Sequence, residues 1–334
     1  MLLAFDIGNS NIVLGVFKGE ELITNWRIET DTNKSADEYG MLISQFFRYE
    51  GLKMSAVKDV IISTVVPSVL YTMQHMSQKY FCKRAIVIES GVKTGLIVKY
   101  DNPKTVGADR IVNAVAAYKK YGGPLIIIDF GTATTFCAIS EKAEYLGGTI
   151  APGLKIASEA LFQKTAMLPK VELEEPGHAI CKNTIQSMQS GLVYSHMGMV
   201  EFIVRKMKEE LEAITESGTP AKVIATGGLA AMIDAGVDCI DCVDRLLTLE
   251  GLEIIYRKNR RLRHSSKDRK PCEAQPSKAE KPCDAQSKNE QKPCDAQPAK
   301  AEKPCDTQPA KAEKPCDTQS KNEQKPCEEE SPNE

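Results

Sequence analysis

Between Ser265 and Glu334 there is not one Leu, Ile, Val, Met, Phe, Tyr or Trp. A segment with nothing apolar to bury cannot offset the entropy lost on ordering its own chain, so a disordered tail is expected there. What order the segment has is repetition. Lys-Pro-Cys recurs at Cys272, Cys283, Cys294, Cys305, Cys316 and Cys327, eleven residues apart, in variations on KPCDAQPAKAE. Such a period suits a right-handed coiled coil, but this one has no apolar seam and a proline in every repeat, so it reads as a flexible, Pro-spaced extension.

Further absences narrow what residues 1–264 can be. No run approaches the roughly 18 apolar residues of a membrane span. The start has no basic region and reaches Asp6 after one short apolar run, unlike a signal peptide, so reduced thiols and a cytoplasmic location are expected. Charge of one sign is missing as well: the tail's 13 Lys or Arg and 15 Asp or Glu, taken from the chain's 43 and 45, leave 30 and 30. A neutral body gives no electrostatic reason to expect nucleic acid or a membrane surface as partner. Neither GxxxxGK followed by Ser or Thr nor GxGxxG occurs, which excludes the P-loop and dinucleotide fingerprints. Cysteine is sparse here, with Cys82, Cys137, Cys181, Cys239 and Cys242. Cys137 lies in an apolar run and reads as a small core residue, and the CxxC of Cys239 and Cys242 has no second pair to complete a zinc site.

What is present is organised around residues 1–17, MLLAFDIGNSNIVLGVF. Leu2 to Phe5 and Ile12 to Phe17 read as buried strands, and DIGNSN between them as the turn of a hairpin. Gly8 lets main-chain N–H groups approach an anion, while Asn9, Ser10 and Asn11 add short donors. A carboxylate at Asp6 would repel bare phosphate, so a nucleotide held here would come with Mg²⁺ between the two. The same pattern returns at Leu125 to Ile139, LIIIDFGTATTFCAI, which sets Asp129, Gly131 and Thr132 beside Asp6, Gly8 and Asn9 and indicates an internal duplication. A third glycine turn, Thr226-Gly227-Gly228, follows the apolar strand Lys222 to Ala225. Strand–Asp–Gly–strand twice, then strand–Thr–Gly–Gly–helix, resembles the sugar kinase, Hsp70 and actin superfamily of ATP-binding proteins.

Strands and helices alternate through the rest, which indicates the α/β class. Ser35 with Glu38 three residues on forms a capping box ahead of a helix whose apolar face is Tyr39, Leu42, Ile43, Phe46 and Phe47. Asp59 to Val65 reads as a strand, followed by a helix marked by Val69, Met73, Met76 and Tyr80. Asn102-Pro103 interrupts the chain ahead of a helix over Arg110 to Tyr118, so Asp109 and Arg110 fall in its first turn behind Gly107. Asp109 there is either a helix-dipole or capping residue, or a proton acceptor beside an anion-binding Arg110. Later helices are expected over Ile156 to Phe162, Asn183 to Glu212 and Leu247 to Asn259.

DIGNSNIV, ISTVVPSV, YDNPKTVGADRIVNA, IDFGTATTF, GGTIAPGL, KNTIQSMQSG and ATGGLA occur in this order. Together they resemble type III pantothenate kinase from Met1 to about Asn259. That resemblance implies two duplicated ribonuclease-H-like domains of the actin-like ATPase fold, over residues 1–121 and 122–264, with the tail at 265–334 outside them. It implies transfer of the γ-phosphoryl group of ATP to pantothenate, giving 4′-phosphopantothenate in the first step of coenzyme A synthesis. Asp6, Ile7, Gly8, Asn9, Ser10, Asn11, Ile12 and Val13 match the ATP-phosphate loop, and Thr132 an ATP contact. Tyr100, Gly107, Ala108, Asp109, Arg110 and Thr184 match the pantothenate site, with Asp109 as the proton acceptor. Asp129 matches the ligand of a monovalent cation, K⁺ or NH₄⁺. A homodimer is implied too, with Thr184 reaching the pantothenate of the neighbouring subunit. Two positions depart from the family pattern. Cys181 replaces a Gly, which would crowd its turn at positive φ, and Arg245 follows Asp244 where a Pro is usual. A non-catalytic regulator on the same fold and a kinase of another small alcohol are the alternatives. A chain ended at His264 is expected to fold and keep full kinase activity; a soluble, folded truncation without activity would place the boundary elsewhere.

Overall fold

The computed structural model describes residues 1–263, so the expected tail lies outside the described residues. β1 (Leu2–Ile7) and β2 (Asn11–Lys18) form the opening hairpin, and β3 (Glu21–Glu29) adds antiparallel to β2. α1 (Ala36–Tyr49) starts at the expected capping box. The Ser35 hydroxyl accepts from the Glu38 N–H at 3.3 Å, and the Ser35 N–H donates to the Glu38 carboxylate at 2.8 Å. β4 (Asp59–Thr64) runs parallel to β1, α2 (Pro67–Phe81) returns with proline in its first turn, and β5 (Ile86–Val87) pairs parallel with β4. The resulting sheet has five strands in the order β3-β2-β1-β4-β5.

Beyond β6 (Ile97–Val98), α3 (Ala108–Tyr121) leads into β7 (Leu125–Phe130), β8 (Ala133–Ile139) and β9 (Glu144–Pro152). α4 (Leu154–Lys164) and the long α5 (Thr184–Ile214) come next. β10 (Lys222–Gly227), α6 (Ala230–Asp234), β11 (Cys242–Val243) and α7 (Leu247–Arg263) complete the described chain. The second sheet has six strands, β11-β10-β7-β8-β9-β6. Five of them repeat the first sheet strand for strand. β9-β8-β7 and β3-β2-β1 are antiparallel meanders, and β10 with β11, like β4 with β5, adds parallel on the other side.

Alternation along the central strands decides which helices cover which face. Leu3, Phe5 and Ile7 pack with Tyr39, Ile43, Phe47 and Met73 beneath α1 and α2. Ala4, on the opposite face, joins a second core that holds Val112 and Ala116 of α3, Leu252 and Ile255 of α7, and Ile127 and Cys137 of the second sheet. Ile126 and Ile128 turn the other way, against Leu192, Val200 and Val204 of α5. α3 and α7 are therefore the layer between the two sheets. The last helix, expected to end near Asn259, runs to Arg263 and packs against α3, β1, β2 and β4. β6 pairs with β9, so residues 97–98 belong to the second sheet. Among the described residues no helix is long and apolar enough to cross a membrane.

The α3–α7 contact depends on Gly251. A Cβ built there would collide with the Val112 carbonyl oxygen and stand 2.7 Å from Val112 Cγ1. Gly→Ala inside an exposed helix stabilises by roughly 1 kcal/mol, but here overpacking against a main-chain atom outweighs that gain. Gly251→Ala is expected to destabilise the fold by about 1–3 kcal/mol, measured as a fall in the urea midpoint at unchanged m-value.

Candidate active site

Asp6 lies opposite Val13, and Val13 opposite Arg27. Residues in register on neighbouring strands share a face, so all three project to one side of the first sheet. In the second sheet Thr226, Asp129, Thr135 and Ile150 form the matching row. Both rows line a single cleft of about 460 Å³, together with Gly107, Asp109 and Arg110 at the start of α3 and the Gly227-Gly228 turn after β10. Two hairpin turns bound it. The Gly8 N–H donates to the Asn11 carbonyl at 3.0 Å, and the Gly131 N–H to the Ala133 carbonyl at 3.2 Å. The second turn is one residue tighter, since Asp6 faces Val13 whereas Asp129 faces Thr135. The turns meet at their tips, where the Ser10 and Thr132 hydroxyls are 2.9 Å apart.

Three carboxylates share this cleft. Burial, reinforced by the charges of Asp109 and Asp129, pushes Asp6 up to about 7, and Arg27 opposes the shift. Burial and the Asp109 charge push Asp129 up to about 6, against the Asn113 amide and Arg27. Asp109 is raised by burial and held back by the Arg110 N–H, which donates to its Oδ1 at 2.8 Å. Asn113 donates from Nδ2 to Asp129 Oδ2 at 3.0 Å while its Oδ1 accepts from the Thr248 hydroxyl at 2.7 Å. The second bond fixes which end of the amide faces the carboxylate. Carboxylates that raise one another in this way fit a cation bound among them. Among the described residues no three His, Cys, Asp or Glu side chains converge as an all-protein cage. A cation at Asp6 or Asp129 would therefore take further ligands from phosphate and water, the usual habit of Mg²⁺.

Arg110 is buried, with 6% of its surface exposed. Its Nε–H donates to Cys137 Sγ at 3.3 Å and its guanidinium lies 5.7 Å above the centre of the Tyr145 ring. The Tyr145 hydroxyl donates to the same sulfur at 3.5 Å, and Tyr100 meets the Tyr145 ring edge-on at 6.3 Å. Cys137, expected to be plain core, is buried and also supports the arginine. The terminal Nη2 of Arg110 is buried and makes no hydrogen bond among the described residues.

Of the residues matched to the phosphate loop, Asp6, Gly8, Asn9, Ser10, Asn11 and Val13 line the cleft, as does Thr132. Ile7 and Ile12 do not; strand alternation turns their side chains into the core beneath α1 and α2. Gly107 caps α3, Asp109 and Arg110 line the cleft, and Ala108 packs on the inter-sheet core. Thr184 stands apart from the cleft lining, exposed at the start of α5, where Asn183 Oδ1 accepts from the Gln186 N–H at 2.9 Å. Among the described residues the non-glycine residues at positive φ are Cys82 and Ala143 and not Cys181, so the crowding expected there does not arise. Arg27, Asn113, Lys155, Arg245 and Thr248 join the cleft or its supports without having been singled out for either. Asn113 was within reach of the sequence, since it falls one helical turn after Asp109. Arg27 was not, because its place depends on the register of three strands.

Two sheets of one strand order, each contributing a glycine hairpin to a shared cleft, define a mixed α/β protein of the actin-like ATPase and sugar kinase class. Residues 2–206 match the family model of type III pantothenate kinase, and the chain belongs to that family. Similar solved structures include a conserved putative Baf family transcriptional activator from Campylobacter jejuni, 19% identical over 78% of this chain and 99% of that one, at a TM-score of 0.49. The activator of 2-hydroxyisocaproyl-CoA dehydratase from Clostridium difficile, with bound ADPNP, is 13% identical over 81% of this chain and 99% of its own, at a TM-score of 0.44. A putative N-acetylglucosamine kinase from Porphyromonas gingivalis is 12% identical over 78% of this chain and all (100%) of its own, at a TM-score of 0.40.

Raised carboxyl pKa values have a signed consequence for stability. The folded state favours protons on Asp6 and Asp129 that the unfolded chain releases near pH 4, so the contribution of these two groups to stability is greatest at low pH and falls as pH rises toward about 7 and 6. With nucleotide and divalent cations absent, Asp6→Asn is expected to flatten this decline and to raise stability at pH 8 by about 1–2 kcal/mol, reduced by the solvent that enters the cleft. Thermal melts of both proteins from pH 4 to pH 8 measure it; parallel curves would show that Asp6 is not held against its charge.

Proposed function

We propose that this chain is an ATP-dependent pantothenate kinase that transfers the γ-phosphoryl group to give 4′-phosphopantothenate, the first step of coenzyme A synthesis in the cytoplasm. The observation that carries the reading is the convergence of Asp109 and Arg110 with both glycine hairpins on one cleft. Phosphoryl transfer asks for positioning and charge neutralisation more than for covalent chemistry. The Gly8 turn, with Asn9, Ser10 and Asn11, and Thr132 from the facing turn, hold phosphate oxygens. Asp6 would hold Mg²⁺ and Asp129 would hold K⁺ or NH₄⁺; when bound, these cations offset the charge of the polyphosphate.

Arg110, fixed by Cys137 and Tyr145 with Nη2 unpaired, orients the pantothenate carboxylate. Asp109 accepts the proton of the attacking hydroxyl. Its burial supports that role, because a carboxyl raised above its ordinary range is a better proton acceptor near neutrality. Thr184 reaches the pantothenate of the neighbouring subunit in a homodimer. Its own helix and the neighbouring α4 expose Ile156, Phe162, Ile185 and Phe202, an apolar surface suited to a second copy.

Asp109→Asn separates a proton acceptor from a helix cap. A cap would lose little beyond its dipole contribution, roughly 0.3–1 kcal/mol of stability. A general base should lose about 10²- to 10⁴-fold in kcat with ATP binding retained. The check is ATP consumption over a panel of small alcohols, with and without potassium. Turnover specific to pantothenate, lost in Asp109→Asn, is the expected result, and near-full turnover by the variant would remove the base assignment.

A further inference from the structure

Arg27 has no part in the roles assigned above. β3 is the edge strand of the first sheet, and Arg27 stands in the Asp6–Val13 row with its side chain in the cleft. From there it crosses to the opposite sheet, since a Cβ built on Gly228, in the turn after β10, would stand 3.2 Å from Arg27 Nη1. At the matching position of the second sheet the row carries Ile150. The cation is therefore an addition on one side of a duplicated frame.

The other cations of the two halves differ from it. Arg110 is engaged by Cys137 and Tyr145, and Lys120 by Asp244 and Glu250. Lys155 and Arg245 line the cleft but share no row with either aspartate. Among the described residues the Arg27 guanidinium has no hydrogen-bond acceptor and no ion-pair partner, although it faces the cleft that holds Asp6 and Asp129. A planar fork of five N–H donors left unpaired at the mouth of such a cleft matches two oxygens of a phosphate better than a lone carboxylate.

We propose that Arg27 is a phosphate-binding residue that holds the terminal phosphoryl group of the nucleotide in the cleft, between the Asp6–Val13 row and the Gly228 turn. The inference rests on the reading that the cleft takes ATP. Arg27 meets the last phosphate of the nucleotide, so its contact is made with ATP and missing with ADP. Arg27 transfers no proton. It acts by opposing charge that spreads over the equatorial oxygens as the phosphoryl group moves.

Arg27→Gln and Arg27→Lys in the full chain test it, with fold checked by circular dichroism; the site is exposed, so both variants should fold. Isothermal titration calorimetry with ATP and with ADP measures the two affinities. Arg27→Gln is expected to lose about 10²-fold in kcat and about tenfold in ATP affinity, with ADP affinity and pantothenate KM changed less than about threefold. Arg27→Lys should recover part of both losses, because charge returns without the fork. Unchanged ATP-over-ADP preference and kcat in Arg27→Gln would overturn the assignment; should that variant fail to fold, an unchanged preference in Arg27→Lys would do so. If the native chain binds ATP but does not phosphorylate pantothenate, the substrate reading fails while the ATP-against-ADP comparison still decides Arg27.

Discussion

Holding Asp6, Asp109 and Asp129 on one partly buried cleft is the constraint on which the rest of the site depends. Like charges withdrawn from water oppose their own ionisation, and each of the three is raised by that burial. The surroundings offset the cost with few groups. Arg27 opposes the charge of Asp6 and Asp129, the Asn113 amide donates to Asp129, and the first turn of α3 supplies an N–H to Asp109. What remains uncompensated is what a polyphosphate with its cations would complete.

This constraint explains why α3 and α7 sit between the sheets. α3 brings Asp109, Arg110 and Asn113 to the cleft from one helix, and α7 brings Thr248 to orient Asn113. The same two helices meet closely at Gly251 and Val112, so the packing of the central layer also sets the hydrogen bonds of the site. A shift between them would reach Asp129 through Asn113 with no cleft residue substituted.

Duplication supplies the frame, and divergence makes it a site. Five strands of the second sheet repeat the order of the first, and each meander places an aspartate near the end of its leading strand. The rows then differ, with Arg27 on one side and Ile150 on the other, and Ser63 beside Asp6 where Thr226 stands beside Asp129. The turns differ too, by one residue, and their tips meet through Ser10 and Thr132.

Much of this was legible in the chain itself because it is local. Short continuous apolar runs ending in Asp-x-Gly place the hairpins, the Ser35–Glu38 box starts α1, and repetition of DIG as DFG reveals the duplication. Apolar alternation also decides that Ile7 and Ile12 face away from the turn they flank, since neighbouring strand residues point to opposite faces. Other features arise only from long-range pairing. That Arg27 shares a row with Asp6 depends on two strand registers, that Cys137 and Tyr145 brace Arg110 depends on the second sheet packing against α3, and that the last helix covers the first strands depends on the closing of the whole layer stack. The sequence determined which elements form and which residue types flank the turns, because those follow from local propensity and periodicity. Only the tertiary structure decided which charges face one another, because that requires residues far apart in the chain to be brought within the few ångströms over which a charge is felt before solvent screens it.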